Sequence, residues 1–87
     1  MKISKFFEDN IEILSYAVDR AFKDRYDVRL SRTGFLYLYD FDESGSLAIV
    51  RSKYEILDIL GSGNRLTEFA WDEDKEILDK MLKELGL

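Results

Sequence analysis

The chain has 87 residues, 46% hydrophobic and 36% charged, with 13 basic against 18 acidic side chains and a formal charge of −5 at pH 7. That length supports one core and one domain over 1–87, and the composition is that of a globular chain rather than a disordered tail or a membrane span. Cysteine and histidine are both absent, which removes disulfides, thiolate chemistry, the usual zinc sites and the commonest general acid/base at neutral pH, while the acidity opposes direct nucleic-acid binding.

No apolar run approaches the roughly 18 residues that a membrane helix needs. MKISKFFEDN places acids where a signal peptide would have its apolar core, so the expected location is the cytoplasm. SKFFEDNIEILSYAVDRAFKD repeats apolar residues at Phe7, Ile11, Leu14, Val18, Ala21 and Phe22, the spacing of one continuous helix. Ser4 suits its first cap, Glu8 and Asp9 its positive end, and Lys23 and Arg25 its negative end. Phe6, Ile13 and Tyr16 widen the stripe, as expected of a helix lying across a sheet.

YDVRLSR alternates with period two, placing Tyr26, Val28 and Leu30 on one side and Asp27, Arg29 and Ser31 on the other, the pattern of a half-buried strand. Thr33-Gly34 supplies a tight turn. FLYLYDF sets Phe35, Tyr37, Tyr39 and Phe41 against Leu36, Leu38 and Asp40, and LAIVR is short and β-branched enough for a third strand. A two-residue hairpin at Thr33-Gly34 pairs Arg32 with Phe35, Leu30 with Tyr37 and Val28 with Tyr39. The aromatic row then shares a face with Tyr26, Val28 and Leu30 and forms the core floor, joined by Leu47 and Ile49. Leu36, Leu38, Ala48 and Val50 would form an apolar patch behind the sheet that needs a cover.

SKYEILDILG reads as a short helix with Ser52 and Glu55 at capping-box spacing and Gly61 as its stop, and GSGN as a loop. RLTEFAW is expected as a fourth strand, with Thr67, Phe69 and Trp71 on one side and Asp72 capping the final helix; the start of a longer final helix is the alternative. DEDKEILDKMLKELG is a helix with Ile77, Leu78, Met81, Leu82 and Leu85 on one face and Glu76-Lys80 and Asp79-Lys83 at favourable spacing.

DFDESGSLAIVR matches the front of an EF-hand loop at Asp40, Asp42, Ser44, Gly45 and Leu47, but Ala48 fills position nine and Arg51 stands where the bidentate acid belongs. It is a turn, and no metal or cofactor is expected. GSGN lacks the Lys-Ser/Thr ending of a phosphate loop. The aromatic row has the composition of a base-stacking platform, but in the expected register it lies under the first helix. Beside the acids Glu8, Asp9 and Glu12 of the first helix, two acidic clusters remain, Asp40, Asp42 and Glu43, and Asp72, Glu73, Asp74 and Glu76.

The expected fold is α+β: an N-terminal helix on a three- or four-stranded antiparallel sheet, with one short and one longer C-terminal helix. The expected role is not enzymatic. It is a small acidic protein-binding module, of the kind phages or toxin systems use as inhibitors, presenting the acidic clusters to a basic, nucleic-acid-handling protein. The alternative is a homodimer or larger homo-oligomer formed through Leu36, Leu38, Ala48 and Val50 or through the final helix.

Overall fold

The computed structural model describes residues 2–43, 47–48, 58–61 and 63–87. The N-terminal helical segment is broken rather than continuous, giving α1 (Lys5–Asp9) and α2 (Ile11–Ala21). Ser4 caps α1 as expected: its Oγ accepts from the Phe7 N–H at 3.2 Å. The break lies at Asn10, whose Nδ2 donates to the Phe6 carbonyl at 2.7 Å, while its own N–H turns to Phe7 O. A short amide side chain has thus taken a carbonyl that the next helical turn would use. Phe7, Leu14, Ala17, Val18 and Ala21 are buried along the two helices.

After α2 the chain reverses through Lys23 and Asp24, both left-handed at φ 52° and 63°. It then enters β1 (Tyr26–Leu30), which pairs antiparallel with β2 (Leu36–Asp40). The register differs from the expected one by a single residue. Val28 faces Leu38 and Leu30 faces Leu36, because the loop has three residues, Arg32, Thr33 and Gly34. Ser31 N donates to Phe35 O at 2.9 Å and Gly34 N to Ser31 O at 3.1 Å, and Gly34 takes φ +83°. A two-residue turn of the primed type would have required positive φ at Thr33, which a β-branched residue resists; glycine at the third loop position suits the longer turn.

A slip of one residue exchanges the two faces of a strand. Leu36 and Leu38 are therefore fully buried together with Tyr26 and Val28. Phe35 and Phe41 are 46% and 51% exposed, and Tyr37 and Tyr39 lie half-buried beside them on the other face. The expectation of an apolar patch at Leu36 and Leu38 free for self-association is overturned: those side chains are the core. Ala48 stands opposite Leu38 in the ladder, and Val50 and Ile49 lie outside the described residues.

A 3₁₀ turn (Phe41–Glu43) follows β2, and a two-residue β3 (Leu47–Ala48) pairs beside it. Among the described residues the sheet is thus a two-stranded antiparallel hairpin with this short addition, and the expected three or four full strands are not found there. Residues 58–60 are helical and Gly61 follows at φ +65°, in line with a helix stopping there; Ser52 and Glu55 lie outside the described residues.

The expected fourth strand is also replaced. α3 (Gly63–Thr67) is a helix, extended by local bonds from Phe69 N to Leu66 O and from Ala70 N to Thr67 O. Leu66 is buried in the core, so tertiary packing of one leucine outweighs the strand preference of its Thr and Phe neighbours. Gly63, expected in a loop, opens this helix. A Cβ there would stand 3.3 Å from Leu82 Cδ1, so the close approach of α3 to the last helix uses its missing side chain.

A 3₁₀ turn (Asp72–Asp74) leads into α4 (Lys75–Glu84), which buries Leu78, Met81 and Leu82, with Leu85 beyond its end. Glu76 and Asp79 pair with Lys80 and Lys83 as the spacing predicts. Asp72 does not cap α4; it pairs with Lys75 Nζ at 3.0 Å. Gly86 at φ +84° closes the helix through a bond from Leu87 N to Leu82 O. The Glu84 carboxylate accepts from Ser4 N and Ser4 Oγ at 3.0 and 2.8 Å, tying the last helix to the first. The apolar face of α4 is spent on one common core with α2, α3 and the sheet. No helix among the described residues is long and apolar enough to cross a membrane.

Replacing Leu38 by alanine is expected to cost about 2–5 kcal/mol of unfolding free energy, whereas Phe41→Ala on the opposite face should cost less than about 1 kcal/mol. Urea denaturation of the two variants measures this, and the reverse order would restore the two-residue register.

Candidate protein-binding surface

The first acidic cluster is divided by the fold. Asp40 ends β2 on the core side and is 6% exposed. Arg25, just before β1, grips it with two bonds, Nε to Oδ1 and Nη2 to Oδ2, both 3.3 Å, and Asp42 N donates to Oδ1 at 3.0 Å. A buried carboxylate needs such partners. The hydrogen bond to Asp40 also pushes the Arg25 guanidinium above its ordinary value. Asp40 is therefore a structural anchor across the open end of the hairpin, not a group offered to a partner as its sequence position suggested. Asp42 is exposed and shares Arg25 at 3.4 Å; the side chain of Glu43 lies outside the described part of the chain.

The second cluster stays on the surface. Asp72, Glu73 and Glu76 are exposed and Asp74 is half-buried, all in the 3₁₀ turn and first turn of α4. Their ion pairs with Lys75 and Lys80 are water-exposed and add little to stability.

Immediately before these acids stands Trp71, at 56% the most exposed large apolar side chain among the described residues. Its backbone is extended, at φ −64° and ψ 148°, which carries the indole away from α3. The ring stacks on Tyr16 of α2, centroids 5.8 Å apart and planes inclined by 19°. Arg20, one turn further along α2, lies 5.5 Å from the Tyr16 ring centre and donates to Tyr16 Oη at 3.4 Å and Phe69 O at 3.3 Å. Glu12, four residues before Tyr16, is exposed on the same side of the helix. Packing of α2 against α3 thus joins a Trp, a Tyr and an Arg, drawn from segments about fifty residues apart, to a run of carboxylates.

Sequence reading placed Tyr16 in the widened stripe and Trp71 on a strand, and so missed their meeting. A tryptophan directly followed by Asp-Glu-Asp was the available signal, since an indole inside an acidic helix start has little core to enter.

The reversal after α2 gathers a third set of acids. Asp19 is half-buried, and burial first, then the charges of Asp24 and Asp27, push its carboxyl above the ordinary Asp value. Among the described residues no group of three or more carboxylates is arranged to hold a metal ion. No protein-family model, curated protein or solved structure matches the chain.

An acid whose value is raised by folding holds its proton more tightly in the folded chain than in the unfolded one. Stability is then lost as pH climbs from the ordinary Asp value through the raised one. Asp19→Asn should accordingly raise the melting temperature at pH 7, with its advantage over the wild type shrinking as pH falls and Asp19 takes up its proton. A thermal-melt series from pH 7 to pH 3 checks this; an advantage equal at every pH would remove charge as the cause.

Proposed function

We propose that the chain is a small acidic protein-binding module that acts by occupying a basic surface on another protein, with Trp71 and Tyr16 at the centre of the contact and Asp72, Glu73, Asp74, Glu76 and Glu12 around them. The observation that carries this reading is the exposed Trp71–Tyr16 stack set directly beside the acid run. Trp, Tyr and Arg are enriched among the hot spots of protein interfaces, the rigid rings burying much area at little entropic cost. Carboxylates around such a centre select a cationic partner and speed its approach.

A groove that ordinarily holds nucleic acid has the matching chemistry, cations for phosphates and stacking faces for bases. An indole backed by a second ring and flanked by carboxylates resembles a stacked base between phosphates, so the module would block such a groove and inhibit its owner. Catalysis has no part in this reading. Asp42 extends the acidic surface at the far end of the hairpin, and Asp40 contributes only through the fold.

Immobilised chain should retain basic proteins from lysate of the cells that make it, and a polyanion such as heparin should displace them. Trp71→Ala should lower the affinity of a retained protein by about thirtyfold or more while leaving the circular dichroism unchanged, and Phe35→Ala should bind as the wild type does. Retention that resists heparin, or survives Trp71→Ala undiminished, would contradict the proposal.

A further inference from the structure

Hydrogen bonding inside the hairpin decides which backbone groups of β1 are already used. Phe41 N donates to Arg25 O and Ser31 N to Phe35 O. In an antiparallel ladder residues alternate between turning their N–H and C=O toward the partner strand and away from it. Asp27 and Arg29, which share the parity of Arg25 and Ser31, turn theirs toward β2. Val28 and Leu30 turn theirs outward, to the side of β1 where the sheet order β1-β2-β3 places no strand among the described residues. Edges of this kind are templates for pairing.

The residues on this edge select the occupant. About Val28, the strand Tyr-Asp-Val-Arg-Leu is complementary to itself when reversed. A second β1 laid antiparallel, Val28 against Val28, brings Asp27 opposite Arg29 of the second copy and Arg29 opposite its Asp27, with Tyr26 meeting Leu30 on the core side. The charged pairs fall at non-hydrogen-bonded positions, where cross-strand side chains come closest. Arg29 already lies on the solvent face, over the Tyr39 ring at 4.6 Å and bonded to Asp27 Oδ2 at 2.8 Å. Asp24 and Asp27 both lie near enough to Asp19 to repel its carboxylate, so acid is in excess at this end of the edge and an incoming guanidinium offsets it.

We propose that the β1 edge is a self-association surface: two copies pair antiparallel about Val28 and join their hairpins into one sheet across a two-fold axis. This surface is separate from the Trp71 region, and its success or failure leaves the partner-binding reading untouched.

Sedimentation equilibrium over a range of concentrations tests it by charge exchange. The wild-type mass should rise from 10.2 kDa toward twice that value. Asp27→Arg alone and Arg29→Asp alone each place like charges opposite one another at both ends of the axis, and each should weaken the dimer tenfold or more. The double variant Asp27→Arg/Arg29→Asp should recover it, and mixing the two single variants should give a heterodimer, with circular dichroism reporting the fold of each. A wild-type mass that stays at one copy up to about 1 mM, or a dimer that both single variants keep, would overturn the proposal.

Discussion

The pairing of Ser31 with Phe35 around the Arg32-Thr33-Gly34 loop is the constraint on which the rest of the structure depends. It sets the hairpin register, and the register decides that Leu36 and Leu38 face inward with Tyr26 and Val28. Burying each such leucine contributes about 1.5–3 kcal/mol, so the slipped pairing would expose that gain to water and ask α2 to pack on bulkier rings. Ser31 reinforces the choice: its Oγ accepts from Phe35 N at 3.0 Å and lies 3.2 Å from Thr33 Oγ1. At the other end of the hairpin, Arg25 and Asp40 close the same register with a charge-assisted double bond.

With the sheet so arranged, the helices supply the functional surface. The break at Asn10 lets α1 follow Ser4 and Glu84 while α2 takes its own direction over β1. Arg65 of α3 donates to Ala21 O at 3.2 Å and lies 5.0 Å from the Phe22 ring centre, fastening α3 to the end of α2. A cation suits that negative helix end. Tyr16 and Trp71 meet because these two elements are fastened together. The left-handed pair Lys23 and Asp24 costs backbone strain that the core and the sheet have to offset.

Much of this was legible before the fold was known. The α+β class, the two strands within YDVRLSR and FLYLYDF, and the last helix with its ion pairs came from period and spacing, because those segments bury one face and solvate the other. The register was not legible from alternation, since FLYLYDF is apolar on both faces and period two cannot rank a tyrosine row against a leucine row. Turn chemistry could have ranked them: a β-branched Thr33 opposes the primed turn, and glycine at 34 favours the longer loop. The fourth strand failed because the propensity of Thr67, Phe69 and Trp71 carries no information about where Leu66 is buried. Of the acids, Asp72, Glu73 and Glu76 stand on the surface as expected, while Asp40 reveals its partner only once the hairpin brings Arg25 beside it. The Trp71–Tyr16 meeting is a product of helix packing and has no local signature beyond the indole's acidic neighbours.

The register is best tested by nuclear Overhauser contacts between α-protons of the two strands. In an antiparallel pair these are strongest at non-hydrogen-bonded positions, where the Cα atoms are about 4.5 Å apart. Strong contacts between Val28 and Leu38 and between Tyr26 and Asp40 are the expected result. Strong contacts between Arg29 and Leu38 and between Asp27 and Asp40 in their place, the non-hydrogen-bonded pairs of the two-residue turn, would return the aromatic row to the core, expose Leu36 and Leu38, and contradict the account.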